Sequence, residues 1–203
     1  VFNKVKKGFL KLLSFILPDG GWDNSFGTRN FKWTYWGSRT SDGCQGAFAL
    51  LGKDEPIFYE AALRNLRLYK QCTHNGLLYG GPHYFDHGES PCVHHTFCHA
   101  KVLAMALDIG IKDVGSVSIP SDNPPPLAYY HEIDAYRIGV NDFRATITGY
   151  DFPFIEGGHA SGGTLTMLWH KDVGPIIASS MMDYTLVEPH NMQLSLKKSQ
   201  HRT

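Results

Sequence analysis

The chain of 203 residues is 42 % hydrophobic and 19 % charged, which suits a packed core and argues against disorder. Nineteen Lys and Arg balance nineteen Asp and Glu, so no overall field draws in nucleic acid or a membrane surface. An anionic ligand therefore has to be held by a local cluster, and the compositional excess is in aromatics, at 13 %, and in eleven histidines.

Residues 1–18, VFNKVKKGFLKLLSFILP, begin like a signal peptide, but no small-residue cleavage site follows and Lys11 interrupts the apolar run. Phe2, Val5, Phe9, Leu12 and Ile16 recur at spacings of three and four, which predicts an amphipathic helix ended by Pro18 and Gly20. No apolar run is long enough to span a bilayer, so no membrane insertion is expected. A short buried helix is predicted over residues 42–52. A longer one is predicted over 55–73, with Phe58, Ala61, Ala62, Leu66 and Tyr69 on one stripe and Pro56 in its first turn. Over 90–110, Ser90 is placed as N-cap, Pro91 at the first helical position and Gly110 past the end.

Residues 119–127, IPSDNPPPL, exclude helix and favour an extended spacer. Beyond them the period becomes two. YYHEIDAYRIGV, FRATITGY, GGTLTMLWH and GPIIASSMMDYTLV read as antiparallel strands, one layer of a sandwich, with KDVG (171–174) as a hairpin turn. The expected organisation is α+β: a helical portion over 1–115, a Pro-rich linker over 116–127 and an antiparallel β portion over 128–203. So few helices leave their layer incomplete, and the chain starts at Val1, so it is expected to be a piece of a longer polypeptide.

Two loops carry the candidate chemistry. Residues 23–43, DNSFGTRNFKWTYWGSRTSDG, follow neither period and mix flat rings with hydrogen-bond donors. A sugar ring offers an apolar face to stack on Trp or Tyr and a hydroxylated rim for Asn, Asp and Arg. Arg adds a planar fork that grips a carboxylate bidentately. Arg29 and Arg39, flanking Trp33, Tyr35 and Trp36, fit an acidic sugar; the plainer alternative is a loop pinned by its own rings.

Residues 74–101 hold His74, His83, His87, His94, His95 and His99 among glycines. His94 or His95 near the helix start has the imidazole pKa, about 6.5 unperturbed, that suits proton transfer near neutrality. Tyr79 and Tyr84 are candidate phenol acids or bases, given cationic neighbours. His95 and His99 share a helix face, but HEXXH and finger spacings are absent, so no metal is assigned and no cofactor is required. In the β portion His159 lies on a glycine-rich turn, and a cleft-facing role and a structural one both stay open. Cys44, Cys72, Cys92 and Cys98 make no CxxC pair, which leaves disulfides and free thiols open alike.

The layout of DGGWDNSFGTRNFKWTYWGSRTSDG, a Gly/His/Tyr loop, a helix, a proline linker and GGHASGGTLTMLWHKDVGPIIASSM resembles the heparinase II/III-like and alginate-lyase-like group of polysaccharide lyases. The resemblance implies part of an (α/α) toroid followed by β-sandwich material, with a cleft between them. It also implies β-elimination on a uronic-acid polysaccharide, met outside the cytoplasm, in a secreted or periplasmic setting. In that scheme Asn24, Arg29 and Arg39 neutralise the uronate, His94 or His95 is the base and Tyr35 or Tyr84 the acid. Trp33 and Trp36 stack sugars, and His83 and His159 line the cleft.

Two rivals follow from the same residues. A glycoside hydrolase would need paired carboxylates, for which Asp23, Asp42, Asp86 and Glu89 are available. A non-catalytic carbohydrate-binding module would use the rings and arginines alone. Nothing in the sequence fixes the oligomeric state.

Overall fold

The computed structural model describes residues 2–26, 44–79, 81–82, 84–88, 90–91, 93–149 and 163–178, excepting the side chains of His94, His95 and Ala178. α1 (Phe2–Leu12) passes straight into a 3-10 turn, Leu13–Phe15, and so stops short of the expected Pro18. Only its C-terminal end reaches the core, through Phe9, Leu10 and Leu12. Phe2 and Val5 stay 49 % and 47 % exposed, so two of the five residues of the anticipated stripe face solvent.

α2 (Cys44–Leu51), α3 (Pro56–Gln71) and α4 (Val93–Ile109) form a helical layer. Its core joins Leu13, Ile16, Trp22, Phe48, Phe58 and Ala62 to Ile119 of the linker. Trp22, Phe48 and Phe58 stack in sequence, with centroids 6.2 and 5.7 Å apart. The α3 stripe is buried as its spacing predicts, with Leu66 partly covered. α4 begins at Val93, so Ser90 and Pro91 precede it instead of capping it; its first hydrogen-bonded turn closes later than the cap residues suggest. Its far end is as predicted: Gly110 takes φ +90° and its N–H donates to the Ala106 carbonyl at 2.9 Å. The described helices form one layer, and a closed toroid is not among the described residues.

Between α3 and α4 runs a hairpin, β1 (Thr73–His74) and β2 (Leu77–Leu78), turning on Asn75 and Gly76. Both turn residues have positive φ, 51° and 75°, the Asn-Gly geometry that matches strand twist.

A five-stranded antiparallel meander follows: β3 (Leu127–Tyr130), β4 (Ala135–Val140), β5 (Phe143–Thr148), β6 (Thr164–His170) and β7 (Gly174–Ala178). The stretch 129–140, read as one strand, is two, because residues 131–134 turn and Asp134 adopts φ 45°. Its two faces are unusual. Leu127, Tyr129, Tyr136, Val140, Phe143 and Leu165 are exposed on the outer side, where Tyr129 and Tyr136 stack at 4.6 Å. The buried side, facing the helical layer, carries Arg137, Arg144, Thr146, Thr148 and Thr166 beside Met167 and Trp169.

A tight turn over residues 17–21 joins the layers. The Gly20 N–H donates to the Leu17 carbonyl at 2.9 Å, and the Gly21 N–H to Asp19 Oδ1 at 2.9 Å. Asn65 Nδ2 of α3 donates to the Gly20 carbonyl at 2.8 Å, and Gln45 Nε2 of α2 donates to Asn65 Oδ1 at 2.7 Å. From the sheet, Trp169 Nε1 donates to Asp19 Oδ2 at 2.9 Å. Leu17, Tyr69, Cys72, Leu78, Met167 and Trp169 fill the space around this junction.

The proline linker is strapped down on both sides. Arg64 of α3 holds Asp122 with Nη1 and Nη2 and also pairs with Glu60. Arg144 of β5 donates to the backbone carbonyls of Ser121 and Asp122, both at 3.1 Å. Burial alone would raise the Asp122 carboxyl, but the bonds from Arg64 and the Ile119 N–H outweigh it and hold the group below its ordinary value.

Two outcomes are expected in chemical denaturation. Gly20→Ala should cost about 2–4 kcal/mol, because its φ is +93° and a Cβ would stand 2.2 Å from the Arg64 carbonyl oxygen. Asp122→Asn should cost about 1–3 kcal/mol at neutral pH. Since the depressed carboxylate stabilises only while ionised, that gap should close as pH falls through the acid range below the usual carboxylate value.

Candidate active site

Asp23 is 1 % exposed and lies where the segment leaving the 17–21 turn meets the sheet. Its Oδ1 accepts from the Ser25 N–H at 3.1 Å and from Ser25 Oγ at 2.6 Å, which closes a tight turn around Asn24. Its Oδ2 accepts from Thr146 Oγ1 of β5 and faces Arg137 Nε of β4 at 3.6 Å. That last separation is long for a hydrogen bond, so the pair acts as charge against charge. Burial, the largest influence, lowers the Arg137 pKa, and the Asp23 charge opposes it. The Arg137 guanidinium also lies 4.9 Å over the Phe15 ring, which meets Phe26 and Tyr130 at 4.8 Å each.

Asn24 is thus half-buried between two anchored residues. From Phe26 the chain continues into the aromatic and arginine segment, which re-enters the described structure at Cys44, buried at the start of α2. Tyr35, Arg39, Arg29, Trp33 and Trp36 all lie outside the described residues, as do His83, His159, Asp42 and Glu89.

The second loop is fixed from below. His74 stacks on Phe85 at 4.1 Å, and Tyr79 meets both rings edge-on at 5.5 Å. Tyr84 is half-buried and packs over Gly81, where its ring leaves 3.4 Å for a Cβ. The backbone of His94 and His95 lies in the first turn of α4, while their side chains fall outside the described residues. That end of α4 is held twice: the Leu78 N–H donates to Thr96 Oγ1 at 2.9 Å, and His99 Nε2 meets Tyr69 Oη at 2.8 Å. His99 is buried with its ring edge-on to Tyr69, so it is a packing histidine within the helix interface.

The structure brings Asn24 to the junction of helices and sheet and places Tyr84 on the loop preceding α4. Asp23, available on sequence as a hydrolase carboxylate, is instead consumed by the junction, and Asp86 is exposed. Sequence reasoning missed Thr146, Thr166 and Arg137: alternation does not say which face turns inward, and Thr166 is buried beside Met167 only through the register shift between β5 and β6. Cys72 is a buried free thiol, and no metal-binding group of three His, Cys, Asp or Glu occurs among the described residues.

Residues 1–118 match the ulvan lyase N-terminal domain and residues 127–203 the ulvan lyase C-terminal domain. The chain is 45 % identical over 195 residues to a broad-specificity ulvan lyase of Formosa agariphila, covering 93 % of this chain and 31 % of that relative. It therefore spans about a third of the length of the curated relative it matches. No solved structure matches it.

Burial, with Asp19 adding to it, pushes the Cys72 thiol up to about 12. In native protein at pH 8 Cys72 should resist iodoacetamide and become alkylated only on unfolding, as read by peptide mass spectrometry. Thr96→Val should leave the Leu78 N–H without its partner and lower stability by about 1–2 kcal/mol in a denaturant titration.

Proposed function

The chain belongs to the ulvan lyase family, and on that premise we propose that the protein it comes from cleaves a uronic-acid-containing polysaccharide by β-elimination. The observation that carries this reading is the match to both ulvan lyase domains in consecutive order, supported by 45 % identity to a broad-specificity ulvan lyase.

β-Elimination removes the C5 proton of a uronate and expels the glycosidic oxygen at C4. The carboxylate beside C5 resists that loss unless its charge is neutralised. Asn24, Arg29 and Arg39 take that role, and donors preorganised for developing charge are worth roughly 3–4 kcal/mol each. His94 or His95 removes the proton, and Tyr35 or Tyr84 returns one to the leaving oxygen; each such group contributes about 10²–10⁴-fold. Trp33 and Trp36 stack the sugars on either side, with His83 and His159 along the cleft. No step in this scheme calls on a metal or cofactor.

The burial of Asn24 at the helix–sheet junction favours a cleft between the two portions. The helical layer, strap and sheet fit an incomplete (α/α) toroid followed by a β-sandwich, the heparinase II/III-like arrangement. A polymeric substrate places the protein in a secreted or periplasmic setting.

The test is ultraviolet absorbance during incubation with a panel of uronic-acid polysaccharides, ulvan among them. The conjugated C4–C5 double bond of an elimination product absorbs, and a hydrolysis product does not. The expected result is rising absorbance that falls about 10²-fold in rate with Asn24→Ala. New reducing ends without absorbance would point to a hydrolase, and binding without either product to a carbohydrate-binding module.

A further inference from the structure

Thr146, Thr148 and Thr166 are fully buried on the inner face of the sheet, where Val would fill the same volume with no polar atom to satisfy. Two of the three hydroxyls are spent on the segment that carries Asn24. Thr146 Oγ1 donates to Asp23 Oδ2, and Thr166 Oγ1 lies 2.9 Å from Ser25 Oγ. A hydroxyl has one proton to give. Ser25 gives its own to Asp23 across the shorter 2.6 Å contact, so the Thr166 proton is shared between two acceptors, Ser25 Oγ at 2.9 Å and the Thr146 carbonyl at 3.2 Å. Thr146 and Thr166 stand on neighbouring strands, β5 and β6. Between them they pin the residue before Asn24 and the residue after it.

Building on the lyase reading, we infer that Thr146 and Thr166 are positioning residues: through Asp23 and Ser25 they fix Asn24 in register with the substrate carboxylate. The sheet thereby contributes to the chemistry without touching the reacting atoms. Carboxylate neutralisation matters more as charge develops at C5 than in the bound ground state, so a displaced donor lowers kcat more than it changes KM. Displacement by an ångström can cost up to about 10²-fold.

Thr148 is the internal control. It shares the strand, face and burial of Thr146, and its hydroxyl has no hydrogen-bond partner among the described residues.

The experiment measures kcat and KM of the complete protein by unsaturated-product absorbance, with thermal unfolding recorded alongside. Thr166→Val should lower kcat about tenfold or more with KM within about twofold. Thr166→Ser should recover most of the loss, and Thr148→Val should keep wild-type kcat. In an Asn24→Ala background Thr166→Val should add almost nothing, since its effect passes through Asn24. Should Thr166→Val fail to fold, Ser25→Ala removes the same contact from the other side, together with the Ser25 Oγ bond to Asp23, and should likewise lower kcat with KM nearly unchanged. No unsaturated product from wild type on any substrate would overturn the lyase reading and this inference together. With wild type active, three results each overturn the positioning role alone: unchanged kcat in Thr166→Val, an equal loss in Thr148→Val, or full additivity with Asn24→Ala.

Discussion

Two carboxylates four residues apart, Asp19 and Asp23, hold the helical layer to the sheet. Asp19 accepts from Trp169 of β6, and Asp23 accepts from Thr146 of β5 while facing Arg137 of β4. Each is also spent on its own backbone two residues on, at Gly21 and Ser25. A buried acid of this kind is costly unless its lone pairs are engaged, and here the partners come from the acid's own turn and from the sheet at once. The sheet can therefore dock in only one register. A shift of one residue would turn Thr146, Thr166 and Arg137 outward and leave Asp23 buried without a counter-charge.

That requirement accounts for the inverted sheet. An ordinary half-buried strand places aliphatic residues against the core and polar ones in water. Here the inner face sets threonines and arginines beside Met167 and Trp169 because part of its neighbour is a polar turn, and most of the other large apolar residues of the sheet stand outside. The linker follows the same logic. Arg64 and Arg144 approach it from opposite layers and bind Asp122 by its side chain and by its carbonyl. A stretch whose prolines suggest a spacer is in this way a third point of attachment, and Pro124 seats so closely on β4 that a Cβ at Gly139 would stand 2.3 Å from it.

How much of this was legible depends on sequence distance. The stripe of α3, the Gly110 stop of α4 and the KDVG hairpin were readable because each is decided within a few residues. The stripe of α1 was over-read, since a period reports which side is apolar and not how far the core extends; Phe2 and Val5 lie beyond it. The seam was not readable, because Asp23 looks like one more loop acid and a strand threonine looks like β propensity. Their pairing spans 123 residues and leaves no local trace. Asn24 was recognisable as a donor by its type, while its bracketing by Ser25 and Asp23 appears only in three dimensions. The aromatic and arginine segment and His159 lie outside the described residues, so their reading rests on chemistry and family alone.

The distance along the chain also sets an order in time. Asp23 is synthesised 123 residues before Thr146, and Asp19 150 residues before Trp169. At about 5–20 residues per second, translation separates each acid from its partner by roughly 6–30 seconds. Throughout that interval the helices can assemble around Trp22, Phe48 and Phe58, while Leu17, Tyr69 and Cys72 wait uncovered beside a hydrated carboxylate. The seam can close only once β5 and β6 have been made, and a charge facing water until then disfavours self-adhesion of the unfinished flank.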